Sequence, residues 1–366
     1  MQTIAIVYGG ESCEHDVSVI TALSAYRIAK AKYAVYLVYY KDNTFWMGDA
    51  LKEISFYADN TKDDLRQCRF EKDRLVVRSR WKEKRYVVDC VLVACHGGAG
   101  ENGSLAGYFE TVGIPYTSAE PYGGALFMDK AFTKNFLYRY RMPTLRAITV
   151  KEGDELTEPP EYPVIVKPAT LGSSVGIGVA KNAEELKNRV DEAFLFDQKI
   201  LLEKCLTDFR EFNCAVCRKG EEIVASEVEE PVFKKEFLDF YDKYCDGEDA
   251  RRVLPAAIDE KLREKIRSSA KDIYAKAELK GVVRVDFLYD GTKLWINEVN
   301  TIPGSLALYL FLPLGVKGVE VLQWTIDAAI ERYKRKQNKR CDFSSDVLKT
   351  YDDKAGVKGS KGGIKK

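Results

Sequence analysis

Short continuous apolar runs alternate along this chain with stretches in which apolar residues recur every three or four positions. The first kind reads as buried strand and the second as amphipathic helix. Residues 3–8 are such a run and lead through a glycine-rich turn into a helix over 17–29. Residues 33–40 and 87–94 are the next strands, the latter ending in a second glycine-rich loop at 96–103. Strands alternating with helices, with polar loops at the strands' carboxyl ends, predict an α/β fold with a doubly wound parallel sheet whose ligands lie at those ends. Residues 52–86 are highly charged with short apolar stretches and read as a hairpin insertion with no assigned role.

A second group of elements follows residue 118. Residues 128–140 predict one helix with Asp129 and Lys130 in its first turn, and Pro143, Pro159, Pro160 and Pro163 then punctuate the chain. A strand at 164–168 runs into a loop of small residues at 169–178, then a helix at 184–194 and a strand at 200–204. Strands at 212–217 and 222–227 come next. Residues 234–250 are polar and aromatic with no clean period, a long loop of the kind that is functional or disordered. An amphipathic helix at 259–277 precedes strands at 281–288 and 293–298, joined by the turn Tyr289-Asp290-Gly291-Thr292, which makes them antiparallel neighbours. The expected units are 1–118, 119–206 and 207–340, followed by a basic, glycine- and lysine-rich tail at 341–366 that reads as solvated or disordered.

The strand pair at 281–300 carries the most specific chemistry. Period two puts Arg284 and Asp286 on one face, and Glu298 and Asn300 on one face. Two carboxylates and a carboxamide are hard oxygen donors that suit Mg²⁺ shared with a nucleotide's phosphates, and Arg284 would face those phosphates. The loop Gly172-Ser173-Ser174-Val175-Gly176-Ile177-Gly178 follows the strand bearing Lys167, and its backbone N–H groups can wrap phosphate oxygens. It is no Walker A loop, because the closing Lys-Ser/Thr pair is missing. Glu14 sits where the first strand gives way to a helix, either as a partner of the helix dipole or as a receiver of a substrate ammonium group. His15 reads as a capping or packing residue, and His96 as either a hydrogen-bond donor to phosphate or substrate or a buried structural histidine.

Bulk properties narrow the class. The 366 residues allow two or three domains, and a net charge of +1 offers no field for nucleic acid or an anionic membrane. No apolar run reaches the ~18 residues that suggest a membrane helix, and residues 1–8 read as a strand rather than a targeting segment. The nine cysteines are scattered, with Cys214 and Cys217 lacking a second pair to complete a zinc site, which fits reduced thiols in the cytoplasm. With two histidines in all, a histidine-based metal centre is disfavoured.

Five ordered motifs, spread over roughly residues 3 to 330, resemble one family closely. They are Gly9 through Ser18, His96-Gly97 through Gly103, Met128-Asp129-Lys130, Val166-Lys167-Pro168 with Gly172-Ser173-Ser174-Val175-Gly176, and Glu298-Val299-Asn300-Thr301-Ile302-Pro303-Gly304. Together they are similar to the D-alanine–D-alanine ligases of the ATP-grasp superfamily. The resemblance implies three domains, a doubly wound amino-terminal sheet followed by an ATP-grasp pair with ATP held between central and carboxyl-terminal units. It implies that Lys130 and Lys167 contact the ATP phosphates together with Ser173 and Ser174. Glu203 and Lys204 would lie near adenine and Glu211 near the ribose. Asp286, Glu298 and Asn300 would bind a pair of Mg²⁺ ions, Mn²⁺ being an alternative, and Arg284 would stabilise the transferred phosphoryl group and a later oxyanion. Glu14 would hold the first amino acid's ammonium and join Ser173 and Tyr244 in a bridge that closes a flexible loop, with Lys243 beside it. His96, Gly304, Ser305 and Tyr309 fall at substrate-binding positions.

The resemblance also implies small-molecule amino-acid substrates, a homodimer through the amino-terminal unit and a cytoplasmic place in peptidoglycan synthesis. One segment departs from the family: Tyr309 stands where a serine usually receives the second substrate's carboxylate. Its hydroxyl can serve instead, or Ser305 can. The departure leaves open a related ligase with another acceptor, such as D-serine, D-lactate or a different amino acid. A nucleotide-binding regulatory protein without turnover is the reading from another class, and the retained Asp286, Glu298, Asn300 and Arg284 argue against it.

Overall fold

The computed structural model describes residues 1–59, 65–79, 82–232 and 251–340, where the strands form three sheets. The first holds β1 (Thr3–Gly9), β2 (Ala34–Lys41), β3 (Thr44–Met47), β4 (Arg66–Glu71), β5 (Arg74–Arg78), β6 (Glu83–Val87) and β7 (Cys90–Val93), in the order β6-β5-β4-β3-β2-β1-β7. Here β1 lies parallel to both β2 and β7, and Ile4 through Tyr8 are fully buried, so it is covered on both faces. That double burial is why residues 3–8 are apolar without alternation.

One sequence expectation is met here, the hairpin, and one changes. The charged stretch at 52–86 is an antiparallel extension of this sheet, supplying β4, β5 and β6. Of the strand expected at 87–94, residues 90–93 form β7, while Val87 ends β6 at the opposite edge of the sheet. Asp89 causes the break: its backbone N–H donates to Thr3 O, and its carboxylate accepts from Thr3 N at 2.7 Å. Only Val88 and Asp89 separate the two edge strands, a span of at most about 11 Å, so the sheet curls until those edges nearly meet.

The second sheet is antiparallel, with β8 (Ala147–Lys151), β9 (Val164–Pro168), β10 (Gly178–Ala180) and β11 (Lys199–Lys204) in the order β10-β9-β11-β8. The helix Ala183–Phe194 covers it, burying Leu186, Val190 and Ala193 against Val164, Val166 and Ile200. The helix expected at 128–140 is Lys130–Arg139, and a separate helix, Pro121–Met128, precedes it. Asp129 ends one and caps the other, its extended backbone freeing a carboxylate oxygen to accept from Ala131 N at 2.9 Å and Phe132 N at 3.1 Å.

The third sheet orders β14 (Arg251–Val253), β13 (Glu222–Val232), β12 (Arg210–Lys219), β15 (Val283–Tyr289) and β16 (Leu294–Asn300), all antiparallel. The helix Glu260–Lys276 packs on its inner face through Leu262, Ile266, Ala270 and Ile273. Beyond β16 the chain returns to the first sheet. Leu306, Ala307, Leu308, Leu310 and Phe311, then Val321, Leu322 and Ile326 of the helix Gly318–Gln337, complete the core around β1 and β7. The return starts with a sharp turn, in which Ser305, Leu306 and Ala307 adopt left-handed φ values of 52°, 51° and 48°. That conformation costs about 1–2 kcal/mol per residue, offset here by burial of Leu306 and Ala307 and by Ser305 N donating to Thr21 Oγ1 at 3.0 Å.

Candidate active site

The outer face of the third sheet is polar because of one irregularity. On β15, Val283, Val285 and Phe287 point into the core, so Arg284 and Asp286 point away. On β16, Leu294 and Ile296 point inward, and unbroken alternation would send Glu298 and Asn300 inward with them. A bulge between the Asp286–Glu298 and Phe287–Ile296 pairs absorbs Asn297, and from there Val299 is the inward residue. Glu298 and Asn300 are thereby turned to the face of Asp286 and Arg284. The Arg284 guanidinium donates to both Asp286 oxygens at 2.6 and 2.7 Å, and Asn300 Nδ2 donates to Asp286 Oδ2 at 2.9 Å. Glu298 lies 3.4 Å from Lys130 Nζ of the neighbouring unit.

Those oxygens fit a hard divalent cation. Among the described residues no three His, Cys, Asp or Glu side chains converge, so the set is two carboxylates and the Asn300 carboxamide. A donor set that small suits an ion whose remaining ligands are phosphate oxygens and water.

Lys167 is buried at the inner end of β9 and donates to Glu203 Oε1 at 2.6 Å and to Asn297 Oδ1 at 3.4 Å. Lys134, absent from the sequence expectations, pairs with the other Glu203 oxygen and donates to Leu145 O at 2.9 Å. It stands one helical turn after Lys130, and that i, i+4 spacing was the legible signal. Burial pushes the Glu203 carboxyl up, but the two ammonium groups outweigh it and hold its pKa below the ordinary value. Burial likewise lowers the pKa of Lys134. Lys204 follows Glu203 at the end of β11. Consecutive strand residues face opposite ways, and Lys204 is turned outward to Glu161 at 3.0 Å. Glu211 shares the outer face of Asn213, two residues along β12.

The loop after β9 meets the end of β1. Ser173 Oγ donates to Glu14 Oε1, and Gly172 is packed so close that a Cβ would stand 2.8 Å from a Glu14 oxygen. Ser173 and Ser174 take left-handed φ values of 53° and 61°. Glu14 borders a cavity of about 450 Å³ with Glu11, Gly97, Asn102, Asp129 and Gly172. His15 packs on Tyr39, its Nε2 lying 2.7 Å from the hydroxyl.

His96 is buried. Nε2 meets Thr21 Oγ1 at 2.9 Å, its backbone N–H donates to Ser18 Oγ, and burial lowers its pKa to about 4. Glu101, which the sequence reading passed over inside its own glycine-rich loop, accepts from Gly97 N at 2.9 Å and Ile302 N at 3.0 Å. It ties the loop beside Glu14 to the chain leaving β16. Burial, then proximity to Glu14, raises its pKa to about 8.

Gly304 and Ser305 form the start of the left-handed turn, and Tyr309 follows it. The Tyr309 hydroxyl donates to Glu229 Oε2 at 2.9 Å and accepts from Arg252 Nη1 at 2.9 Å. The hydrogen expected to meet a substrate carboxylate is therefore engaged within the protein. Lys243 and Tyr244 lie outside the described residues, as do the loop at 234–250 and the tail at 341–366.

The comparisons agree with this arrangement. A family model described as D-ala D-ala ligase N-terminus matches residues 3–119, and one described as D-ala D-ala ligase C-terminus matches residues 140–322. A D-alanine–D-alanine ligase of Thermosipho africanus (strain TCF52B) is 33% identical over 356 residues, 93% of this chain and 96% of that protein. The solved D-alanine–D-alanine ligase from Coxiella burnetii superposes with a TM-score of 0.79 at 25% identity, covering 92% of this chain and 96% of its own. The VanG D-Ala:D-Ser ligase from Enterococcus faecalis shares the fold, with a TM-score of 0.76 at 24% identity over 89% of this chain and 98% of that one. These last two names carry different second substrates, so the ATP-grasp fold they share does not select between acceptors. By the models matched in both halves and by identity over nearly its full length, the chain belongs to the D-alanine–D-alanine ligase family.

Proposed function

We propose that the protein is an ATP-dependent, ADP-forming ligase that joins two D-alanine molecules into the dipeptide used for peptidoglycan and hence for the cell wall and cell shape. The observation that carries this reading is the bulge at Asn297, which sets Glu298 opposite Asp286 on the face that Lys130 reaches. The first amino acid's ammonium would rest on Glu14, held in place by Ser173, and Tyr244 and Lys243 would complete that closure. Its carboxylate attacks the terminal phosphorus of ATP, ADP leaves, and an acylphosphate results. Lys130, Lys167 and Arg284 offset the negative charge gathered on the phosphoryl oxygens. Asp286, Glu298 and Asn300 would hold a pair of Mg²⁺ ions, which when bound neutralise phosphate charge. The second amino acid's amine then attacks the acyl carbon, and inorganic phosphate departs. Arg284 would stabilise the oxyanion formed on the way, and exclusion of water protects the acylphosphate.

The roles of Ser174, Glu203, Lys204 and Glu211 toward the nucleotide, and of His96, Gly304 and Ser305 toward the substrates, belong to the same reading. So do three domains with limits near 118 and 206, a homodimer and a cytoplasmic location. The seven described cysteines are all free thiols, as a reducing compartment requires. Among the described residues no single helix is long and apolar enough to cross a membrane. A second reading keeps the chemistry and changes the acceptor; it draws on the Tyr309 hydroxyl being engaged by Glu229 and Arg252. Purified protein given ATP, Mg²⁺ and D-alanine should release phosphate and form D-alanyl-D-alanine in equal amounts, read by mass spectrometry. Phosphate release that appears only with a different second amino or hydroxy acid would favour the second reading, and no turnover with any pair would refute both.

A further inference from the structure

The polar face of the third sheet does not end at the candidate metal site. Glu298 is opposite Asp286, Asp286 opposite Asn213, and Asn213 opposite Glu229, so one polar row crosses β16, β15, β12 and β13. Residues directly opposite in a sheet share a face at spacings of about 5 Å. Core packing agrees, since the alternating neighbours Val299, Val285, Cys214 and Val228 all point inward. Arg252 continues the row on β14, opposite Pro231, which lies two residues along β13 from Glu229.

The outer end of this row is built with unusual care. Glu229 is 1% exposed, and its Oε1 has no hydrogen-bond partner. Its other oxygen accepts from Tyr309 Oη at 2.9 Å and from Asn213 Nδ2 at 3.2 Å. Arg252 Nη1 lies 3.7 Å from the unbonded oxygen and donates to Tyr309 Oη, while the guanidinium carbon stands 5.3 Å over the Tyr309 ring. The Arg252 side chain is nonetheless 60% exposed. A buried carboxylate and an aromatic ring thus fix one edge of a guanidinium whose other donors face outward. A planar guanidinium held on one edge is a ready receiver for a carboxylate on the other.

We infer that Arg252 binds the carboxylate of the second substrate, with Tyr309 and Glu229 as positioning residues that orient it. The inference rests on the ligase reading and deepens it. Tyr309 does not contact the acceptor through its hydroxyl; it acts through Arg252.

The test separates binding from folding by comparing an acid with its amide. Wild-type protein should prefer D-alanine to D-alaninamide as acceptor. Arg252→Ala should raise the acceptor KM on the order of 10- to 100-fold and erase the acid-over-amide preference, with KM for ATP changing by less than about twofold. Arg252→Lys should recover part of the preference, and Tyr309→Phe should lose part of it. Arg252→Ala with both acceptor KM and acid preference unchanged overturns the assignment while the ligase reading stands. Wild-type protein that forms no dipeptide with any acceptor overturns the ligase reading, and the assignment with it.

Discussion

For a histidine beside a glycine-rich loop, burial decides the protonation state. His96 is enclosed between Thr21 and the chain at Ile302, where only the neutral imidazole is tolerated, so its pKa falls from 6.5 to about 4. The unfolded chain takes up a proton near pH 6.5 and the native chain only near 4. Stability contributed by the neutral ring is therefore present above pH 6.5 and is lost as pH falls through that window. Glu101 works in the opposite sense: its carboxyl, raised from 4.5 to about 8, contributes stability at low pH that disappears as pH rises. The His96 effect is best read as a difference. Urea midpoints of wild type and His96→Gln, each taken at pH 7 and pH 5, should show the wild type losing more on acidification. Equal losses would mean that the His96 pKa is not depressed.

The bulge at Asn297 is the element-scale decision on which the site depends. Deleting Asn297 would remove the extra residue and leave unbroken alternation on β16, with Ile296 and Val299 inward and Glu298 and Asn300 still on the face of Asp286. Flattening the bulge with Asn297 in place would instead bury a carboxylate and an amide without partners, at a cost of roughly 3 kcal/mol or more. Asn297→Ala keeps the residue count and the faces, losing only the 3.4 Å contact with Lys167. Because both variants keep the faces, neither should lower stability by that amount in urea unfolding, and a deletion variant destabilised to that extent would show that the faces had inverted. The same element marks what the sequence made legible. Period two correctly joined Arg284 to Asp286 and Glu298 to Asn300, and the Asp290-Gly291 turn correctly made the two strands neighbours. It was silent on the bulge, because an inserted residue has no local signature when its neighbours are polar. Asn213 and Glu229 escaped notice for a related reason: cross-strand pairing, not spacing along the chain, brings them beside Asp286. Asp129 and Asp89 mark element boundaries that the sequence reading placed elsewhere, each through a side-chain oxygen that took over backbone N–H groups.

At the scale of the whole molecule the chain closes on itself. The first sheet reads from sequence as a self-contained unit over residues 1–118, yet its core is completed by Leu310, Phe311, Val321, Leu322 and Ile326, which follow in sequence after both other sheets. Glu101 and Thr21 then fasten the same junction, accepting from Ile302 N and Ser305 N. This closure places Glu14 and the end of β16 in one fixed relation, which two substrates reacting in sequence require. It also means that the amino-terminal unit lacks part of its own interior. Phe311 is fully buried, and losing a side chain of that size from a core costs about 3–5 kcal/mol, a large share of a domain's net stability. A fragment of residues 1–118 should therefore fail to show a cooperative urea transition by far-UV circular dichroism, whereas the full chain shows one. Within the full chain, Phe311→Ala should destabilise the first sheet and the carboxyl-terminal helix together, seen as faster amide exchange in β1, β7 and Gly318–Gln337 alike. Faster exchange confined to the helix, with β1 and β7 unchanged, would show that the first sheet holds its core without the returning segment.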